Sequence, residues 1–157
     1  RAALDEAGVT TEFVQDNHSL SERKGTVRGL HFQRPPMGQA KLVRVARGRI
    51  LDVAVDLRQG SPTFGQHAAV ELSAENWAQL LVPEGFAHGF CTLEPATEVL
   101  YKVSALYAPA LDGGVIWNDP ELAIDWPVNA GEAVLSEKDQ RLPRLRDIAV
   151  PFVWPPA

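Results

Sequence analysis

The sequence is poor in the features that mark secreted, membrane or disulfide-rich proteins. It contains one cysteine in 157 residues, and because a single cysteine cannot form an intrachain disulfide, Cys91 suits a reducing compartment. No apolar run approaches the roughly 20 residues needed to cross a bilayer. The opening segment RAALDEAGVTTEF also lacks the apolar core of a signal peptide. We therefore expect a cytoplasmic protein with no membrane contact.

An excess of basic residues is absent as well. The net charge is −5, with 15 Lys and Arg against 20 Asp and Glu, whereas nucleic-acid-binding proteins usually carry a basic face. We therefore expect no nucleic-acid partner, although a few local cations could still hold a small anionic ligand. The length and a hydrophobic content of 45% are typical of a single globular domain, which we predict over residues 1–157.

The sequence signatures of two catalytic classes are missing. Metal-binding barrels of the cupin type use closely spaced histidines together with a carboxylate. No H-x-H or H-x-x-x-H pair occurs among the four histidines, which are His18, His31, His67 and His88. A G-x-S-x-G motif is absent, and Cys91 has no basic neighbour in sequence. The sequence therefore gives little support for a metal site or for a serine or cysteine nucleophile.

The patterns that are present favour short strands. ILDVAVDLR alternates between apolar and other residues and predicts a strand with one apolar face, opposite Asp52, Ala54 and Asp56. KLVRVARGRILDVAVDL has Gly48 near its centre and predicts a hairpin. HAAVEL, AQLLVP and EVLYKVS are further strand candidates, while residues 1–8 and SEKDQRLPRL are predicted short helices or turns. Together these elements predict an all-β fold, preferably a jelly-roll barrel with short peripheral helices.

Several polar residues interrupt the apolar stretches. Each alone has an ordinary interpretation, since lysines often extend to the surface and buried histidines usually have hydrogen-bond partners. Burying many such groups in one small barrel costs free energy unless they pair with one another or bind a ligand. The sequence therefore predicts a polar cavity in the barrel, with candidate residues Arg28, His31, Lys41, His88, Tyr101 and Lys102.

Motifs along nearly the whole chain resemble the dTDP-4-dehydrorhamnose 3,5-epimerase family. They are FVQDNHSLSERKGTVRGLHFQ, QAKLVRVARGRILDVAVDLRQGSPTFG, LSAEN, VPEGFAHGF, LYKVSALYAP, VIWNDPELAIDWP and LSEKD. The resemblance runs from about Phe13 to Asp147 in the family's order and spacing. It implies a cupin-like β-barrel, a homodimer, no metal or other cofactor, and the sugar nucleotide dTDP-4-dehydro-6-deoxy-D-glucose as substrate.

The resemblance also implies roles for individual residues. By position, His31 matches the family's proton acceptor, Tyr101 its proton donor, and Asp139 the carboxylate that partners the histidine. Lys41 matches the lysine beside the substrate ketone, and Tyr107 the tyrosine that stacks on thymine. The remaining implied substrate-binding residues are Arg28, His88, Lys138 and the run Gln15, Asp16 and Asn17.

The implied reaction suits these residue types. The protons at C3 and C5 of a 4-ketosugar are both α to the carbonyl, so removing either gives an enolate with its charge on O4. A histidine has a pKa near neutrality and suits the base. A lysine in a water-poor cavity suits the enolate oxygen, and inversion requires a proton donor on the opposite face of the sugar.

Two departures from the family and three alternatives remain at this point. The family usually has glutamate where this chain has Asp112, a predicted substrate-binding position, and the shorter side chain is expected to loosen a contact. The family resemblance also implies an N-terminal strand region that supplies contacts across the dimer, and the 157 residues do not include it. The alternatives are an epimerase acting only at C3 or C5, a non-catalytic sugar-nucleotide-binding protein, and a metal-dependent cupin.

Overall fold

The computed structural model describes residues 2–155. Within them the chain forms two short helices, α1 (Ala2–Glu6) and α2 (Glu137–Gln140), together with eleven strands. The strands are β1 (Gln15–Ser21), β2 (Val27–Gln33), β3 (Lys41–Arg47), β4 (Arg49–Asp56), β5 (Arg58–Gln59), β6 (His67–Ser73), β7 (Gln79–Val82), β8 (Phe86–Thr92), β9 (Thr97–Val103), β10 (Asp112–Gly114) and β11 (Phe152–Val153).

Two antiparallel sheets form the walls of the barrel. One has the strand order β1-β9-β3-β7 and the other the order β10-β2-β8-β4-β6. The short strands β5 and β11 pair in parallel beside them. The predicted all-β, cupin-like jelly-roll fold with short peripheral helices is confirmed, because two antiparallel sheets make up the barrel and both described α-helices have five residues or fewer.

The hairpin predicted around Gly48 is wrong. Strand β3 pairs with β7 and β9, whereas β4 pairs with β6 and β8, so Gly48 joins two different sheets. Gly48 has a φ of +78°, and a Cβ atom there would lie 2.4 Å from Oγ1 of Thr97. A glycine permits the backbone conformation needed in a hairpin turn, and it equally permits the tight turn by which the chain passes from one sheet to the other. The local sequence therefore does not distinguish the two kinds of turn.

The prediction that β4 has only one buried face is also wrong. One face of β4 presents Val53 and Val55. These side chains pack in a cluster with Leu145 and Phe152 of the C-terminal segment, which comprises residues 118–155. The opposite face points into the barrel, where Ile50 packs and Asp52 is fully buried. The C-terminal segment thus covers the outside of the sheet, and both faces of β4 lose contact with water.

Hydrogen bonds hold the C-terminal segment together, and cation–π contacts join it to β5 and β8. Buried Asp119 accepts hydrogen bonds from the backbone nitrogens of Glu121 at 3.0 Å and Leu145 at 2.7 Å. The guanidinium of Arg58 lies between the rings of Phe86 at 4.6 Å and Trp154 at 4.3 Å. The helix α2 also lies within this segment and contacts β2, where Asp139 accepts the backbone N–H of Gly29.

The helix or turn predicted from SEKDQRLPRL is present as α2. Ser136 caps this helix, because its Oγ accepts the backbone N–H of Asp139 at 3.0 Å. The predicted N-terminal helix is present as α1, and the chain turns out of it at Gly8, whose φ is +72°. Neither helix, the longer being five residues, has the length of a membrane span within the described chain.

Candidate active site

A polar cleft opens between the two sheets of the barrel. It has an outer lobe of about 340 Å³ and an inner lobe of about 190 Å³. Four side chains line both lobes, namely His31, Lys41, Tyr101 and Lys138. The two volumes together suit a ligand of several linked groups rather than a single ion.

A buried carboxylate holds the ring of His31. The Nε2 atom of His31 lies 2.6 Å from Oδ1 of Asp139, and Oδ2 of Asp139 accepts the backbone N–H of Gly29 at 3.3 Å. Burial acts to raise the pKa of Asp139, but the hydrogen bonds from His31, Gly29 and Ser136 outweigh it and the pKa is lowered. Asp139 therefore stays ionised and fixes the orientation of an imidazole whose side chain is 30% exposed to the cleft.

The local backbone of β2 explains why His31 faces the cleft. Pairing between β2 and β8 is irregular between Arg28 and His31, and Gly29 has a φ of +108°. A Cβ atom on Gly29 would lie 2.6 Å from the carbonyl oxygen of His88. This irregularity lets both Arg28 and His31 line the inner lobe, although they are three residues apart, while Leu30 packs in the outer core cluster.

Lys41 is buried on the opposite sheet, at the start of β3, and lines both lobes. Burial lowers its pKa to about 8, against the opposing effect of the carboxylates of Asp52 and Asp112, while Lys138 adds to the lowering. The ammonium group is therefore still mostly protonated near pH 7 in a water-poor site. Such a group can stabilise a negative charge that develops next to it.

Tyr101 lies on β9 in the same sheet as Lys41, so the cleft separates it from His31. Burial raises the pKa of its phenol, although the charge of Arg28 acts in the other direction. The hydroxyl thus keeps its proton at neutral pH and can donate it to a ligand. His31 and Tyr101 form two proton-transfer groups on opposite walls of one cavity.

Arg28 lines the inner lobe from β2. Its Nε donates to Oγ of Ser21 at 3.3 Å and its Nη2 donates to the carbonyl oxygen of Leu20 at 3.2 Å. Two bonds to one wall hold the guanidinium in place and leave its other N–H groups for a ligand. A planar cation of this kind suits phosphate oxygens.

The inner lobe contains a second histidine–carboxylate pair. Nε2 of His88 lies 2.7 Å from Oδ1 of Asp52, and both residues are buried. Within residues 2–155, only two buried side-chain oxygens lack a hydrogen-bond partner, Oδ2 of Asp52 and Oγ of Ser19, and Ser19 lines this lobe. The sequence interpretation missed both residues; the detectable signal was an aspartate within the apolar run of β4.

The outer lobe carries an aromatic ring beside an ion pair. The hydroxyl of Tyr107 donates to Oδ2 of Asp112 at 3.3 Å, and the ammonium of Lys138 forms an ion pair with the same carboxylate. The hydrogen bond to Asp112 raises the pKa of Lys138. Gln15 and Asn17 line this lobe as well, so an aromatic surface, amides and a charged pair lie together at its wall.

The family to which the chain belongs is shown by comparison with known proteins. The family model described as dTDP-4-dehydrorhamnose 3,5-epimerase matches residues 1–147. The chain belongs to this family. One relative, the dTDP-4-dehydrorhamnose 3,5-epimerase of Sinorhizobium fredii (strain NBRC 101917 / NGR234), is 55% identical over 141 residues, which are 90% of this chain and 72% of the relative.

Solved structures of two epimerases match over most of their length. The enzyme from Bacillus anthracis, with TDP and PPi bound, is 57% identical with a TM-score of 0.88, covering 91% of this chain and 81% of that one. The enzyme from Legionella pneumophila, in complex with dTDP-4-keto-L-rhamnose, is 45% identical with a TM-score of 0.88, covering 94% and 77%.

The structure brings together eleven of the twelve residues that the epimerase resemblance implied. The exception is Asp16, which lies on the outer face of β1, where its Oδ1 accepts a hydrogen bond from Nζ of Lys102 at 2.6 Å. Alternation along β1 puts Gln15 and Asn17 in the cleft and Asp16 outside it. A substrate contact of Asp16 stays a prediction that the geometry of this chain does not support.

No group of three or more His, Cys, Asp and Glu side chains suitable for a metal ion occurs in the described part of this epimerase-family chain. In each of the two histidine–carboxylate pairs of the cleft, one carboxylate oxygen lies within hydrogen-bond distance of a histidine nitrogen. The histidines, Lys41 and Tyr101 of the cleft are groups that can transfer protons or stabilise charge.

Proposed function

We propose that the protein inverts C3 and C5 of dTDP-4-dehydro-6-deoxy-D-glucose to give dTDP-4-dehydro-L-rhamnose, by proton abstraction α to the C4 ketone. The observation that carries this proposal is the pairing of His31 with buried Asp139 across the cleft from Tyr101. Membership of the epimerase family supports the choice of substrate. Epimerisation beside a ketone needs a base and an acid on opposite faces of the sugar, and His31 and Tyr101 are placed to serve as these two groups.

His31 begins each inversion by taking the proton from the carbon next to the ketone. The electron pair of the broken C–H bond forms the C=C bond of an enolate, and the negative charge moves to O4. Asp139 stabilises the imidazolium that results, because its carboxylate already accepts a hydrogen bond from the ring. The buried ammonium group of Lys41 is the candidate partner for the charge on O4.

Tyr101 completes the inversion by donating its phenolic proton to the same carbon from the opposite face. The C=C bond reverts to the ketone, and the configuration at that carbon is reversed. The tyrosinate then regains a proton from solvent and the imidazolium loses one, so the enzyme returns to its starting state with no net change in protons. A second round at the other α carbon gives the doubly inverted sugar.

The remaining cleft residues are proposed to bind the nucleotide and the sugar. Arg28 and Lys138 supply positive charge for the diphosphate, and Tyr107 supplies a ring on which thymine can stack. His88 is proposed to bind the sugar in the inner lobe. The exposed Tyr107 ring and the buried His88 then lie toward the two ends of one elongated ligand.

We also propose that the protein works as a homodimer, as the family resemblance implied, and that it works in the cytoplasm, as its single cysteine indicated. Val14 and Leu20 at the β1 edge are 54% and 52% exposed, and apolar side chains of this size are commonly covered at interfaces. Sedimentation at micromolar concentration should give a dimer, and a monomer would contradict this proposal.

The function is tested by following the product. The protein is incubated with dTDP-4-dehydro-6-deoxy-D-glucose, and the configuration at C3 and C5 is assigned by NMR. Inversion at both carbons supports the proposal. Inversion at only one carbon identifies a single-centre epimerase instead, and binding without inversion identifies a non-catalytic sugar-nucleotide-binding protein.

A further inference from the structure

The segment that carries Tyr107 has little apolar packing to hold it. It comprises residues 104–108, between the end of β9 at Val103 and a 3₁₀ turn that begins at Pro109. Leu106 is 57% exposed and Tyr107 is 54% exposed. The position of this segment therefore depends on polar contacts rather than on burial of its side chains.

Three glutamine side chains bond the backbone of residues 105–108, and each comes from a different part of the cleft wall. Nε2 of Gln33 donates to the carbonyl oxygen of Leu106 at 2.9 Å, and its Oε1 accepts the N–H of Ala108 at 2.8 Å. Gln39 donates to the carbonyl oxygen of Ala105 at 2.8 Å. Gln15 accepts the N–H of Tyr107 at 3.2 Å.

Gln33 is the central member of this set. It is 3% exposed, it bonds on both sides of Tyr107, and its Nε2 also donates to the carbonyl oxygen of Met37 at 2.6 Å. Every polar atom of the amide therefore has a partner, and the side chain lies at the end of β2, two residues after His31. The strand that presents the base thus also fixes the segment that presents the aromatic ring.

We propose that Gln33, assisted by Gln15 and Gln39, is a positioning residue that fixes Tyr107 for stacking on the nucleobase of the substrate. The proposal rests on the proposed function, because it assumes that a thymidine nucleotide occupies the outer lobe. Gln33 acts on nucleotide affinity through the backbone of residues 106–108. It has no part in proton transfer, which His31 and Tyr101 perform elsewhere in the cleft.

The test measures the affinity of the full chain for dTDP by calorimetry and, separately, kcat and KM for the sugar nucleotide. Gln33→Leu should weaken dTDP binding about tenfold and raise KM similarly, because base stacking contributes about 1–3 kcal/mol. Its kcat at saturating substrate should stay within about threefold of wild type.

Thr92→Val is the matched control, since buried Thr92 makes comparable bonds to Arg23 and Thr26 outside the cleft. This variant should leave the dTDP affinity unchanged.

A double-mutant cycle separates positioning from general destabilisation. In a Tyr107→Ala background, Gln33→Leu should change the dTDP affinity less than twofold, because the ring that it positions is gone. An equal loss in both backgrounds, or no loss in the single variant, overturns the proposal.

If Gln33→Leu does not fold, Gln39→Leu provides a second test because it removes one bond of the same set. It should show a smaller loss of dTDP affinity with the same dependence on Tyr107. Unchanged affinity in Gln39→Leu also overturns the proposal. Failure of the wild type to bind dTDP would instead contradict the proposed function, and this inference with it.

Discussion

Asp139 and His31 are 108 residues apart in sequence, yet Oδ1 of Asp139 lies 2.6 Å from Nε2 of His31. The contact forms because Ser136 caps α2 and because the C-terminal segment packs across the sheet that contains β2. The carboxylate also accepts the backbone N–H of Gly29, so one side chain fixes both the imidazole and the strand that carries it.

Asp139→Asn should lower kcat by about 10²- to 10⁴-fold and leave KM nearly unchanged. An amide keeps the shape of the site but cannot stabilise an imidazolium, and it can favour the wrong tautomer of His31. Steady-state kinetics at pH 7 measure both constants. A kcat within twofold of wild type would show that Asp139 only caps and packs α2.

Lys41 should give the activity an alkaline limit. Its pKa is about 8 in the folded protein, so the charged form that stabilises the enolate is lost as the pH rises through 8. We therefore predict that kcat/KM falls above about pH 8, because this ratio reports ionisations of the free enzyme. Lys41→Arg should move the limit above pH 10, whereas Lys24→Gln, a surface control, should leave it in place. A limit at pH 8 that persists in Lys41→Arg would assign it to another group.

Tyr107 should act on binding rather than on chemistry. Tyr107→Ala should raise KM by about 5- to 100-fold through loss of base stacking, with kcat changed by less than about threefold. Tyr107→Phe keeps the ring and loses only the bond to Asp112, so its KM should stay within about threefold of wild type. Equal effects of the two substitutions would show that the hydroxyl, and not the ring, is what the ligand needs.

Asp56 should make the fold sensitive to acid. Burial acts to raise the pKa of its carboxyl, but hydrogen bonds from Arg58, Ser61 and Thr63 outweigh it and hold the pKa well below its usual range. Because the folded pKa lies below the unfolded value near 4, the stabilisation is complete above about pH 4 and decreases as the pH falls.

Asp56→Asn should therefore reduce the free energy of unfolding by about 2–4 kcal/mol at pH 7, and the difference from wild type should shrink near pH 3. Urea denaturation at the two pH values measures this. Glu121→Gln, at a surface ion pair 3.9 Å long with Arg146, should change stability by less than about 0.5 kcal/mol. A difference between Asp56→Asn and wild type that does not change with pH would contradict the assignment.

The positions of the strands can be predicted from the sequence better than the way in which the strands pair. Alternation identifies β4 and the sheet walls, because an apolar face leaves a period of two in the chain. It does not reveal that Gly48 leads into a second sheet, because turns within and between sheets use the same backbone freedom. It also leaves Asp52 on an apparently open face, because that face becomes buried only when the second sheet of the barrel packs over it.

The candidate site follows from motif resemblance more than from local pattern. His31, Tyr101 and Lys41 are visible as polar residues in apolar strands, but nothing local joins Asp139 to them. Gln33 and Ser19 escaped notice because a glutamine at a strand end and a serine in a polar strand are ordinary residues. Their roles depend on contacts that only the folded barrel creates.

The proposed epimerisation requires that His31 removes the proton and that Tyr101 returns one from the opposite face. The most direct measurement is NMR of the sugar nucleotide after incubation with Tyr101→Phe in deuterated water. His31, with its side chain 30% exposed, can still form the enolate, exchange its proton with solvent and return a deuteron to the face from which the proton came. Tyr101→Phe should therefore give deuterium at C3 or C5 with retained configuration and little inverted product, whereas His31→Ala should show neither exchange nor inversion. Inversion by Tyr101→Phe at the wild-type rate would contradict the role of Tyr101 as proton donor.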